Sequence, residues 1–265
     1  MINKLYYLIN KLYYLIVDKL LSIIINQKKE VIHNGIKMKF HTSNSLMKYR
    51  VDSFSNKEPE TLEWMDNFKE KSIFWDIGAN VGLYSIYSTL KSNCKVFSFE
   101  PSFFNLEFLS RNIFLNKLQN NISVIPVALN DKNSMSKFQL NNTNWSGALS
   151  TFEKKIDQYG KDFSMEFEYS TPGLSGKEIK TIFDIPQPNY IKIDVDGIEH
   201  YILKGLIPII KNTKEILIET NQNFKSQKDE INQILKNNNF RIKKICKKGF
   251  ENTSFRNEIW VKVKV

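Results

Sequence analysis

From Ser72 the chain reads SIFWDIGANVGLYSIYSTL, and no other stretch restricts its architecture as tightly. Ile73 to Trp75 is a short apolar run of buried-strand type, Asp76 closes it, and Gly78 and Gly82 bracket a tight turn. Val81 to Leu90 then keeps helical spacing without a breaker. A strand, a glycine turn and a helix start bring unpaired N–H groups and closely approachable backbone to one point, which suits a nucleotide-like ligand. The pattern departs from the dinucleotide fingerprint G-x-G-x-x-G. Asp76 stands before the first glycine, where a carboxylate repels pyrophosphate and attracts a cationic group.

The second strand adds to this. Cys94 to Phe99 is a strand run that ends at Glu100, 24 residues beyond Asp76, the length of one βαβ step. An acid at that strand end is placed to accept hydrogen bonds from both ribose hydroxyls. Pro101 opens the next helix, Phe103 to Asn116. A ligand with an ammonium and a ribose answers both acids, and S-adenosylmethionine carries the two together. Taken with ISVIPVALND and YIKIDVDGIEHYILKG, the stretches WDIGANVGLYS and VFSFEPSFFNLEFLSRNIFLN make the chain similar to the FkbM family of S-adenosylmethionine-dependent methyltransferases, over roughly Phe74 to Gly205.

That resemblance implies an α/β, Rossmann-like class I methyltransferase fold: a seven-stranded, mostly parallel sheet with one antiparallel strand. Tyr190 to Val195 and Ile216 to Glu219 read as the fourth and fifth strands, with Phe240 to Ile245 and Glu258 to Val263 as the last pair. Position by position, the resemblance implies that Asp76, Gly78, Asn80 and Gly82 form the cofactor loop. Glu100 becomes the ribose acid with Pro101 behind it, and Ala128, within Pro126–Leu129, flanks the adenine. Asp194, Asp196 and Glu199 match the family's acidic stretch after the fourth strand and are the candidate catalytic carboxylates. This chain has Asp196 where glutamate is common. Each acid also has a plain structural use at a helix N-terminus. A carboxylate here could take a hydroxyl proton, or two could hold a divalent cation; the sequence leaves both open. His200 is a further possible base, and Asn112 and Asn116 could face the adenine side or form a solvated helix face.

The acceptor is less defined. Nucleobase amino-methyltransferases carry an Asn/Asp-Pro-Pro-aromatic motif where this chain has Asp194-Val195-Asp196-Gly197, which argues against nucleic acid despite a net charge of +10. The resemblance implies O-methylation, of a glycan or sugar-containing lipid or of a small natural-product alcohol. A dinucleotide-dependent oxidoreductase and a non-catalytic interaction protein are the readings from other classes. Residues 132–188 have the least regular pattern and are expected to form an acceptor-side insertion, with a turn at Thr171-Pro172-Gly173 and Trp145 as a substrate contact.

Ahead of the domain, INKLYYL occurs twice in succession, and Ile2, Ile9, Ile16 and Ile23 fall seven apart, with Leu5 and Leu12 extending the same helical face. Lys11, Asp18 and Lys19 interrupt the apolar run, against a membrane span, and no small-residue cleavage site follows. Peripheral contact with an anionic membrane, and packing against the domain or a second subunit as a homodimer, remain as equal readings of residues 1–27. The expected layout is an amphipathic helix over 1–27, a connecting element over 28–70 with a strand-like piece at Val31 to Phe40, and the methyltransferase domain over 71–265. The expected location is cytoplasmic, with contact at the inner face of a membrane. Two cysteines, Cys94 and Cys246, cannot build a disulfide framework or a four-cysteine zinc site.

Overall fold

The computed structural model of the protein describes residues 2–263; the side chains of Ile2 and Leu5, which the heptad expectation includes, lie outside the described residues. In chain order the elements are α1 (Ile2–Ile25), β1 (Lys28–His33), β2 (Ile36–His41), α2 (Ser45–Lys57), α3 (Pro59–Asp66), β3 (Ile73–Ile77), α4 (Leu83–Ser92), β4 (Lys95–Phe99), α5 (Phe103–Leu115) and β5 (Ile122–Ile125). There follow β6 (Ala128–Leu129), β7 (Ser134–Leu140), β8 (Ser150–Phe152), β9 (Phe167–Leu174), α6 (Gly176–Phe183), β10 (Tyr190–Ile193), α7 (Glu199–Gly205) and α8 (Ile207–Ile210). The chain closes with β11 (Glu215–Asn221), α9 (Lys225–Asn237), β12 (Phe240–Cys246) and β13 (Phe255–Lys262).

The main sheet has seven strands in the order β12-β13-β11-β10-β3-β4-β5. β13 runs antiparallel to both its neighbours, while the β11, β10, β3, β4 and β5 pairings are parallel, as expected. Strands buried on both faces alternate their apolar residues between two cores. Trp75, Ile77, Ile191, Ile193, Ile216 and Ile218 point to one core, shared with α7, α8 and α9. Phe74, Val96, Ile122 and Leu217 point to the other, shared with α4 and α5. The chain order reverses at β3, with β4 on one side and β10 on the other. In an open α/β sheet the crevice beyond the strand ends at such a switch point is where ligands bind.

Residues 28–70 are more than a connector. β1 and β2 form an antiparallel hairpin, and Met38, Phe40, Val51, Phe54, Leu62, Trp64 and Met65 are buried in the second core beside Phe74. Asn112 and Asn116 clamp that hairpin rather than facing a ligand or solvent: Asn112 Oδ1 accepts the His41 N–H (2.9 Å) and Asn116 Oδ1 the Lys39 N–H (2.9 Å).

The 132–188 segment is also more regular than its composition suggests. β7, β8 and β9 join β6 in a four-stranded sheet ordered β6-β9-β7-β8. The expected turn at Thr171-Pro172-Gly173 lies inside β9. β6 pairs only with Gly173 and Leu174, so Pro172 sits before that partner begins, where a missing N–H is tolerated.

Candidate functional site

Two cavities open at the carboxyl ends of β3, β10 and β11, and they share a wall. Gly78, Asn80, Ala148, Asp194 and Asp196 line both. The wall is set by backbone contact. Gly78 has φ 80°, and a Cβ on it would sit 1.9 Å from the Asp194 carbonyl oxygen, so only glycine lets the two loops touch. The Gly78 and Ala79 N–H groups donate to the Phe99 carbonyl at 3.0 and 3.1 Å, which ties the loop after β3 to the end of β4.

The first cavity is lined by Glu100 and Pro101 at the end of β4, and by Val127, Ala128, Leu129, Phe138, Phe152, Ile198 and Ile202. Its character is a largely apolar slot, with Glu100 at one edge and the Asp194 and Asp196 wall at another. Glu100 is buried; Oε2 accepts the Asn80 N–H (2.8 Å) and Oε1 the Ser102 N–H (2.9 Å). Burial pushes its carboxyl up to about 7, against the pull of these N–H groups. Each carboxylate oxygen keeps a second lone pair for a hydroxyl donor. The expected Gly78, Asn80, Glu100, Pro101 and Ala128 therefore meet in one place.

Two expected cofactor contacts lie elsewhere. β3 continues to Ile77, so Asp76 is an interior strand residue and alternation turns its side chain toward α4, on the face opposite Ile77 and the first cavity. It is buried, its Oδ2 accepts from the Ser85 hydroxyl (2.5 Å), and its Oδ1 has no partner among the described residues. Burial raises its pKa, opposed by Lys192 and Ser85. Gly82 caps α4 at φ 85° and packs against Leu109, lining neither cavity.

The second cavity is the larger and is charged and aromatic. Beyond the shared wall it is lined by Arg50, Phe54, Lys57 and Glu58 of α2 and its cap, Tyr84, Lys192, Glu219 and Phe250, and by Phe255 of β13. Lys192 is the central cation. It is almost wholly buried on β10, level with Asp76 across the sheet, and its ammonium lies 2.6 Å from Asp194 Oδ2 and over the Tyr84 ring. Burial works against its charge, but Asp194, Asp76 and Glu58 outweigh that and raise its pKa. For Asp194 burial again opposes ionisation, and the Lys192 ammonium, with Lys57 and Arg50 beyond, holds the carboxyl below its usual range. Asp196 differs: burial, then the neighbouring Asp194, pushes it up to about 6, although its Oδ2 accepts the Leu149 N–H at 2.7 Å. Glu219, at the carboxyl end of β11, is pushed well above the carboxylate range by burial and by the charge of Asp194.

Two further expected site residues, Glu199 and Trp145, and the possible base His200 also line neither cavity. The Glu199 carboxylate accepts the Val195 and Gly197 N–H groups and the Gln227 side chain (2.6 Å), so it braces the Asp194–Gly197 loop from behind, while burial pushes it up to about 7. Trp145 packs edge-on against Phe108 (ring centroids 5.0 Å apart), among Met47 and Val81. Its loop reaches the cavities through backbone instead: the Gly147 carbonyl accepts from Asn80 (2.8 Å) and Asn105 (3.2 Å), and the Ser146 carbonyl from Arg50 Nε (3.1 Å). His200 is buried against Tyr201 and Phe224, and burial pushes it down to about 4.

Sequence reading missed Arg50, Lys57, Lys192 and Glu219. Two had a signal. A lysine inside the apolar run Tyr190–Ile193 is costly unless paired, and Glu219 closes the apolar run Ile216–Ile218 as Asp194 closes Tyr190–Ile193. Arg50 and Lys57 had none, because nothing local says that α2 crosses the crevice. Among the described residues no group of three or more His, Cys, Asp or Glu side chains is arranged to hold a metal ion.

The fold and this crevice define a class of proteins, the methyltransferases built on a seven-stranded sheet. The Methyltransferase FkbM domain matches residues 76–242, and the chain belongs to the FkbM methyltransferase family. It is 26% identical over 156 residues to the hexuronic acid methyltransferase AglP of Haloferax volcanii. That match covers 58% of this chain and 58% of AglP, so the chain spans little more than half of this relative's length. Among solved structures, the methyltransferase FkbM from Methylobacillus flagellatus KT superposes with a TM-score of 0.52 at 14% identity, over 83% of this chain and 54% of that one. The M. jannaschii tRNA m1G37 methyltransferase gives 0.50 at 13% identity, over 90% and 58%. These two likenesses show the fold.

Proposed function

We propose that the chain is an S-adenosylmethionine-dependent O-methyltransferase acting on a hydroxyl of an acidic sugar, within a glycan or sugar-containing lipid. The observation that carries this is the shared wall. Asp194 and Asp196 face an apolar slot with a hydroxyl-binding acid on one side and a charged, aromatic cavity on the other.

The residues present fit the cofactor. The slot between Val127–Leu129 and Ile198 suits a flat purine, Glu100 retains acceptor capacity for vicinal ribose hydroxyls, and the Gly78 contact leaves bare backbone at the slot's mouth. When bound, S-adenosylmethionine supplies a methyl carbon on a sulfonium, open to in-line attack by oxygen. On the acceptor side, Tyr84, Phe250 and Phe255 offer flat faces to a sugar ring, and Arg50 and Lys57 offer charge to a carboxylate. The name of the Haloferax relative supports a uronic acid. A hydroxyl becomes a competent nucleophile when its proton is removed. Asp196, with a pKa near 6, is better matched to that task near neutrality than Asp194, which Lys192 holds ionised and in place.

Calorimetry with S-adenosylhomocysteine, then mass spectrometry of uronic-acid and neutral glycosides incubated with S-adenosylmethionine, tests the reading. Expected are cofactor-product binding and a gain of one methyl on the acidic glycoside. Absence of S-adenosylhomocysteine binding ends the proposal; methylation of neutral glycosides alone removes the acidic-sugar part.

A further inference from the structure

The body of the protein leaves one large surface without a partner. α1 is 24 residues long, and among the described residues its hydrogen bonds to the body are made at its end, where the Ile25 carbonyl accepts from the Ser43 hydroxyl (2.7 Å) and pairs with His41 Nδ1 (3.0 Å). Tyr6, Tyr7, Leu8, Ile9, Leu12, Tyr13, Tyr14, Leu15, Ile16, Leu20, Leu21, Ile23 and Ile24 are all exposed. No helix among the described residues is long and apolar enough to cross a membrane.

At 100° per residue, Ile9, Leu12, Tyr13, Ile16, Val17, Leu20, Ile23 and Ile24 fall on an uninterrupted apolar arc of about 140°. Lys4, Lys11, Asp18, Lys19 and Ser22 share the opposite face with Leu8 and Leu15, and Tyr7 and Tyr14 stand at its margin. A two-stranded coiled coil would cover the Ile/Leu seam alone and leave Tyr7, Tyr14, Leu8 and Leu15 in water. A lipid headgroup layer accommodates all of them: tyrosine rings sit at the water boundary, and lysine stems run along apolar surface to reach solvent. The charge has a matching sign, since Lys4, Lys11 and Lys19 oppose one acid on the helix, with Lys28 and Lys29 following directly.

We propose that α1 lies in the surface of an anionic bilayer and docks the protein there. The geometry brings the crevice with it. Asn44, next to the Ser43 that holds the helix, donates to the Trp145 carbonyl (3.0 Å), and two residues on, Gly147 lines the first cavity.

Co-sedimentation of the full chain with phosphatidylcholine vesicles, with and without phosphatidylglycerol, tests the proposal. Expected is binding to the phosphatidylglycerol vesicles only. Leu12→Glu with Ile16→Glu should abolish it, and Lys4→Glu, Lys11→Glu and Lys19→Glu together should weaken it on the order of a hundredfold. These positions are exposed, so the body's unfolding transition serves as the control. The proposal is overturned if the chain stays in the supernatant with both vesicle types. It is also overturned if the Leu12→Glu, Ile16→Glu variant binds as well as the parent, or if sedimentation equilibrium shows a dimer that Ile16→Glu dissociates while vesicles recover no protein.

Discussion

The first cavity takes Gly78 and Glu100 from positions immediately after β3 and β4. The second gathers Arg50, Lys192, Glu219 and Phe255 from four distant parts of the chain. A nucleotide slot is made where a strand hands over to a helix, so its residues cluster in sequence and read as motifs. A surface that recognises a variable acceptor is made by whatever packs across the strand ends. Here α2 and the β12–β13 connection line the proposed acceptor cavity, and neither carries a local signature.

Substitutions can sharpen that contrast. The largest effect is expected on the shared wall. Asp196→Asn keeps a residue that accepts the left-handed φ of 63° and removes the proton acceptor. Steady-state kinetics should show kcat lower by about 10²- to 10⁴-fold, with S-adenosylhomocysteine affinity within a factor of two or so. A kcat near the parent value would move the base elsewhere, to Asp194 first. Glu100→Gln acts on the cofactor side alone. It should weaken S-adenosylhomocysteine binding by about tenfold or more, without a matching change in the acceptor KM. Arg50→Ala belongs to the acceptor side. It should raise KM for an acidic glycoside by about tenfold and leave that for its neutral analogue little changed; an equal rise for both would refute charge recognition.

Stability should depend on pH through the same acids. Glu100 and Glu199 sit at about 7 and Asp196 at about 6 in the folded chain, above their ordinary values of 4.5 and 3.8. A raised carboxyl binds its proton more tightly when folded, so its contribution is complete below the ordinary value and lost as pH rises through the folded one. His200, pushed down to about 4 from 6.5, has the opposite slope, confined to that interval. From pH 6.5 to about pH 8 the ligand-free Tm should therefore fall, and Glu100→Gln should flatten the slope. The smallest effect is expected at Trp145→Phe and His200→Gln, which lie outside both cavities and should leave kcat/KM within about twofold in the surviving folded protein.

Much of the main sheet was legible because its strands are buried on both faces and bounded by glycine, proline or acid. The expected Tyr190–Val195 and Ile216–Glu219 needed only small adjustments at their ends, to Tyr190–Ile193 and Glu215–Asn221. Asp76 shows where such reading loses resolution. Two more strand residues turn a side chain from crevice to helix, and nothing within IFWDIG marks which residue is last. Glu199 and Trp145 failed for a different reason. A carboxylate or an indole near a crevice can face it or brace it, and the choice depends on Gln227 and Phe108, which come from other elements. Residues 28–70 were underread because a hairpin with exposed lysines on alternate positions hides how completely Met38 and Phe40 are buried.

The five residues common to both cavities also restrict how the enzyme can diversify. A larger side chain at Ala148 or a different backbone at Gly78 narrows both cavities together, so neither position can be altered for one cavity alone. Arg50, Phe54, Phe250 and Phe255 line only the second cavity, the proposed acceptor side. A lineage, or an engineer, retuning acceptor choice has its freedom there, in segments that a motif search passes over.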